Sequence, residues 1–123
     1  MSESKRVGDR GENLVRDYLV TLGYQILAQK WQCPYGEIDL IATNPEWLIF
    51  VEVKTRSARN WDNGGLLAIA GAKQQKLLLS AQAYLAQNPE TEKNLRFDVA
   101  LVARKGEKYH LTKYLTSAFT ADT

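Results

Sequence analysis

The stretch WLIFVEVKTR (residues 47–56) decides how this chain is read. Trp47, Leu48, Ile49, Phe50 and Val51 form an unbroken apolar run, the pattern of a buried strand. Glu52 and Lys54 then follow, two positions apart around Val53. Residues i and i+2 of a strand share a face, so an acid and a base emerge together from a largely apolar element.

The charge finds a partner immediately upstream. GEIDLIAT (36–43) reads as a strand, preceded by a turn at Pro34 and Gly36 and joined to the strand 47–55 by the hairpin turn TNPE (43–46). With a four-residue loop at 44–47, Thr43 pairs with Leu48 and Asp39 lies opposite Glu52. With a two-residue loop at 44–45, Asp39 pairs with Phe50 and sits diagonal to Glu52. Both registers put Asp39, Glu52 and Lys54 on one face, and a slip of one residue would separate them.

Facing carboxylates destabilise a sheet. Water, a proton on one of them, or a cation between them relieves the repulsion. Ile38, Leu40, Ile41 and the run 48–51 make simple solvation unattractive. A hard divalent ion resolves the conflict, because Mg²⁺ takes one or two carboxylates with water and substrate phosphate. Asp39 and Glu52 are therefore expected metal ligands for Mg²⁺ or Mn²⁺, with the Val53 carbonyl as a further oxygen. Lys54 stands where it can orient or deprotonate an attacking water, or stabilise the charge that develops as a phosphodiester breaks.

Outward from the hairpin, helical spacing runs from Asp9 to Leu22 and stops at Gly23, with residues 1–6 expected as a mobile arm. YQILAQKWQC (24–33) reads as a strand. The polar loop SARNWDNGG (57–65) leads into LLAIAGAKQQKLLLSAQAYLAQ (66–87), the longest helical pattern, broken by Asn88 and Pro89. LRFDVALVAR (95–104) is a strand with Phe97, Val99 and Leu101 on one face, and KYHLTKYL (108–115) is a further C-terminal strand. The order αβββαββ describes a single α/β domain over 1–123, with an antiparallel meander feeding a crossover helix.

Several residues join the candidate site on spacing. Glu12 extends the stripe Val15, Leu19 and Leu22 by one turn, beside Gly8 and Gly11, which admit a backbone or a phosphate; alternatively it caps the helix dipole. Ile69, Lys73, Leu77, Ala81 and Tyr84 follow one stripe of the long helix, bordered by Gln74, while Gln75 and Lys76 read as a solvated face. Lys73 reaches a phosphate or snorkels. Asp98 belongs to the site or pairs with Arg96 or Arg104. Arg56, Arg59 and Lys73 gather at the hairpin mouth, and Lys5, Arg6, Arg10 and Arg16 lie on the first helix, a distribution that fits a nucleic-acid backbone. Trp61 stacks on a base or anchors its loop.

Bulk properties exclude several classes. The net charge of +2 is too small to imply nucleic acid by itself. One cysteine, Cys33, and one histidine, His110, leave no disulfide, zinc ribbon or Cys-x-x-Cys chemistry. Cys33 reads as a small buried or half-buried residue, and His110 lacks the nucleophile motif of a Ser-His-Asp triad. No apolar stretch approaches the ~18 residues of a membrane span, and the first residues lack a signal core, so a cytoplasmic protein without membrane contact is expected.

The spacing D-x12-E-x-K (Asp39, Glu52, Lys54), with Glu12 upstream, resembles the PD-(D/E)xK nuclease superfamily. More closely, GDRGE (8–12), GEIDLIA (36–42), FVEVKTR (50–56), KQQKL (73–77), RFDV (96–99) and SAF (117–119) resemble the YraN-like family of small bacterial proteins. That resemblance covers nearly the whole chain. It implies a restriction-endonuclease-like αβββαβ core, a mixed sheet flanked by helices, similar to archaeal Holliday-junction resolvases. It also implies catalytic or metal positions at Glu12, Asp39, Glu52 and Lys54, a nucleic-acid partner, DNA rather than RNA, and a homodimer. Two departures mark the chain: Ile38 stands where a proline often precedes the first Asp, and the Gln-x-x-x-Tyr motif of some exonuclease relatives is not met.

Overall fold

A computed structural model describes residues 3–57, 71–89 and 92–119. Helix α1 (Glu3–Thr21) leads into strands β1 (Gln25–Cys33), β2 (Gly36–Thr43) and β3 (Trp47–Ser57). Helix α2 (Gly71–Gln87), strand β4 (Asn94–Lys105) and strand β5 (Lys108–Phe119) follow. The five strands form one sheet in sequential order. Pairing is antiparallel except between β3 and β4, which run parallel. Parallel neighbours need a crossover, and α2 lies in it. This mixed α/β architecture, with a helix packed on each face, is consistent with the expected restriction-endonuclease-like core and its extra C-terminal strand.

Two apolar layers hold the helices. Val15 and Leu19 of α1 pack with Leu40, Ala42, Ile49, Val51, Val53, Ala100 and Val102. Leu77, Ala81 and Tyr84 of α2 pack with Ile38, Ile41, Leu48, Phe50 and Phe97. Along β3, therefore, odd positions face α1 and even positions face α2, as strand alternation requires. Tyr84 meets Trp31 and Phe50 edge-on, at centroid distances of 5.3 and 6.0 Å, the geometry aromatic quadrupoles prefer.

The hairpin register is the four-residue-loop alternative, with Thr43 opposite Leu48 and Leu40 opposite Val51. The Asn44 side chain fixes the turn by accepting the backbone N–H groups of Glu46 and Trp47 at 2.9 and 2.7 Å, an Asx turn.

Three expectations are corrected. Residues 3–6, expected as part of a mobile arm, belong to α1. Arg6 and Arg10 pair with Glu107, and Glu3 pairs with Arg104, so charge rather than apolar spacing ties this turn down. Leu22 is 54% exposed rather than part of the buried stripe, because α1 ends at Thr21. The third concerns strict alternation. Ile38 packs toward α2 whereas Leu40 packs toward α1, so the pleat breaks at Asp39. Its neighbour across the hairpin, Lys30, has a left-handed backbone with φ 55°. That conformation is uncommon for a non-glycine residue. It lets Gln29 and Lys30 both reach α1 while Trp31 turns to α2.

Candidate active site

The break at Asp39 builds the site. The β2–β3 ladder pairs Leu40 with Val51 and would next place Ile38 against Val53. Instead the Val53 N–H donates to Asp39 Oδ2 at 2.8 Å, so a side-chain carboxylate takes the place of a strand carbonyl. Asp39 thereby lies beside Glu52 of β3, with which its carboxyl is hydrogen-bonded, and within electrostatic range of Glu12 of α1. Asp39, Glu52 and Lys54, expected on one face, line one cavity, and the Val53 N–H adds a hold on Asp39 that pleating does not supply. Val53, whose carbonyl is the expected further oxygen, lines the cavity, and its N–H donates to Asp39.

That cavity has a volume of about 810 Å³ and is lined by Glu12, Asp39, Glu52, Val53, Lys54 and Lys73, among others. Close packing brings Glu12 to it: a Cβ on Gly11 would stand 1.9 Å from Thr55 Oγ1, so α1 rests on β3 at a point a larger residue would block. Glu12 is 6% exposed. Lys30 Nζ donates to its Oε2 at 3.0 Å and pairs with Asp9 at 2.7 Å. Burial raises the pKa of Glu12, and Lys30 opposes that rise. Oε1 is buried and has no hydrogen-bond partner.

Glu52 is 5% exposed and carries two lysines. Lys73 Nζ lies 2.8 Å and Lys54 Nζ 3.2 Å from Oε1. Burial lowers the pKa of Lys54, with the neighbouring Lys73 adding to the fall. Against the pull of burial, the hydrogen bond to Glu52 raises that of Lys73. Asp39 is pushed up to about 8, first by burial and then by the Glu52 charge. The carboxylate repulsion is thus met twice, by a proton on Asp39 and by ammonium groups on Glu52.

This proton has a measurable consequence. A carboxyl raised above its ordinary value of 3.8 stabilises the fold fully below that value and loses the contribution as pH rises through about 8. Asp39→Asn keeps an acceptor for Val53 but does not titrate. In EDTA, its stability relative to the wild type is expected to rise between about pH 4 and about pH 8.5, by on the order of 3 kcal/mol. Urea unfolding at the two pH values checks this.

Among the described residues, no three His, Cys, Asp or Glu side chains are grouped to enclose an ion by themselves. Asp39 and Glu52 nonetheless offer two adjacent carboxylates, and the orphaned Glu12 Oε1 adds an oxygen in the same cavity. Two carboxylates with exchangeable oxygens form the donor set of Mg²⁺ or Mn²⁺, so the residues fit such an ion.

The remaining candidates divide. Arg56 lines the cavity mouth. Gln74, half-buried on α2, is not among the lining residues, whereas Lys76, expected on a solvated face, is one of them. Arg10 points elsewhere: it pairs with Glu107 and lies 4.8 Å over the Tyr109 ring. Arg59 and Trp61 fall outside the described residues. Asp98 is a structural clamp on the α1 face. Arg96 Nε donates to it at 2.9 Å, Tyr114 OH at 2.6 Å and the Ser117 N–H at 3.0 Å.

Two cavity-side features escaped the reading of spacing. Lys30 had a signal, since folding 24–33 back on 36–43 sets it across from Asp39. Ser80, 1% exposed and lining the cavity, lies seven residues from Lys73 on one helical face.

A family model described as "Uncharacterised protein family UPF0102" matches residues 11–102. The UPF0102 protein tll1737 of Thermosynechococcus vestitus is 52% identical, covering 97% of this chain and 98% of its own length. A UPF0102 protein of Synechococcus sp. (strain JA-3-3Ab) is 52% identical over 94% of this chain and 90% of its own. In Gloeobacter violaceus, the UPF0102 protein gll3754 is 41% identical over 97% and 96%.

Proposed function

This chain belongs to the uncharacterised protein family UPF0102, a membership that leaves its chemistry to be read from the site, and we propose that it is a metal-dependent phosphodiesterase acting on DNA. The observation carrying this reading is the convergence of Asp39, Glu52 and Lys54 in one cavity, with Lys73 facing them from α2.

Asp39 and Glu52 would hold the ion, and Val53 fixes Asp39 through its N–H. A divalent ion bound there supplies Lewis acidity to the phosphate and lowers the cost of forming hydroxide. Lys54, whose burial favours the neutral amine, accepts a proton from the attacking water or donates to the charged phosphate oxygens. Lys73, Lys76 and Arg56 supply positive charge at the mouth for the neighbouring backbone. Similarity of the motif to junction resolvases supports branched or otherwise structured DNA over RNA, and a homodimer, since two scissile strands need two sites.

Linear, nicked, flapped and four-way DNA, with an RNA control, incubated in Mg²⁺ or Mn²⁺, test the proposal. Cleavage that requires the ion and prefers DNA is the expected result. Salt-dependent binding without cleavage of any substrate would replace the enzyme with a nucleic-acid-binding module of the same fold. Neither binding nor cleavage would overturn both readings.

A further inference from the structure

The two lysines on Glu52 are held there differently. Lys54 leaves the same strand two residues along, and its side chain is 14% exposed. Lys73 comes from the opening turn of α2, and its side chain is 40% exposed. A flexible four-carbon stem on a separate element can reach Glu52 or leave it without moving the backbone.

Lys73 holds one oxygen, Oε1, of the Glu52 carboxylate at 2.8 Å, the carboxylate that a divalent ion beside Asp39 would share. An ammonium and a divalent ion crowded on one buried carboxylate repel strongly, and the more exposed ammonium, Lys73, is the one free to give way. The cavity offers the ammonium a destination. Lys76, one turn along α2, and Arg56, at the mouth, line the same space, so a phosphodiester anion attracted there also meets Lys73.

Resting on the metal-site reading above, the geometry points to Lys73 as a latch whose release couples ion binding to nucleic-acid binding. In the free protein Lys73 stands in for the ion at Glu52. A phosphate draws it away, and the ion enters as the nucleic acid seats. Coupling between two ligands is reciprocal, so each tightens the other through one side chain. Lys73 is thereby a positioning residue with two stations.

Calorimetric titration of Ca²⁺, a hard oxygen-seeking ion, tests this in the wild type, Lys73→Met and Lys73→Arg, with and without a short DNA duplex. Circular dichroism establishes that each variant is folded, and Lys73→Gln replaces Lys73→Met if the latter is not. Without DNA, Lys73→Met is expected to bind Ca²⁺ about tenfold more tightly than the wild type, within the usual range of coupling effects. The duplex tightens Ca²⁺ binding in the wild type and in Lys73→Arg, and does so about tenfold less in Lys73→Met. The salt dependence of DNA binding by Lys73→Met falls by about one phosphate contact. Equal Ca²⁺ affinities in the wild type and Lys73→Met without DNA overturn the latch and leave the metal site standing. No Ca²⁺ binding by any variant, with or without DNA, overturns both.

Discussion

Lys54→Met is expected to lower the rate of DNA cleavage by about a thousandfold, the middle of the range for loss of a positioned general acid or base. Affinity for the same DNA in Ca²⁺ should change by less than about threefold, since phosphate contacts at the mouth rest on other cations. The separation follows from position. Lys54 sits beside Glu52 on the sheet, at 3.2 Å, whereas Arg56 and Lys76 line the opening. Methionine retains an unbranched apolar stem of similar reach, so packing against the sheet survives. Single-turnover cleavage and equilibrium binding measure the two quantities separately. Comparable losses in both would make Lys54 a substrate-binding residue, and cleavage at the wild-type rate would remove it from the chemistry.

Asp98→Ala carries the largest expected effect on stability. Asp98 is 1% exposed and accepts bonds from Arg96, Tyr114 and the Ser117 backbone. Arg96 also reaches Tyr24 OH at 2.7 Å and lies 5.2 Å over the Trp47 ring. Truncation to alanine strands a guanidinium whose side chain is 11% exposed, and breaking a buried pair from one side costs about 3–5 kcal/mol. A domain with only ~5–15 kcal/mol in hand loses much of its margin. Asp98→Asn keeps acceptors for Tyr114 and Ser117 and is expected to lose less. Urea midpoints order the three proteins. A loss below about 1 kcal/mol for the alanine variant, within the range of an exposed pair, would show that the clamp does not hold β4 to β5.

The hairpin was legible because its information is local. Alternating apolar residues bounded by Pro34, Gly36 and the Asn44 turn give strand ends that agree with β2 residue for residue, and the loop admits few registers. Glu52 and Lys54 follow directly from strand period on the α2 face. Asp39 was found for a reason that proved incomplete, since strict alternation carries no sign of a left-handed Lys30 or of a carboxylate replacing a strand carbonyl. Periodicity describes one element at a time. The choice of Arg96 over Arg104 for Asp98, and of Glu107 for Arg10, depends on which surfaces meet after folding. The first turn of α1 escaped for the same reason: its hold on the fold is ionic and comes from Arg104 and Glu107, about a hundred residues downstream.

The parallel pairing of β3 with β4 also sets a sequence of events in folding. β1, β2 and β3 meet through short turns, so the meander can form early, whereas Trp47 reaches Asn94 only after the whole crossover has closed. Non-local closure is the slow part of such topologies. The acids Asp39 and Glu52 are gathered by the fast, local part, but Lys73 rides on the crossover. The nascent meander therefore carries its acids with Lys54 alone before the second counter-ion docks. Closure of α2 gains electrostatic as well as apolar driving force, because it delivers Lys73 to Glu52.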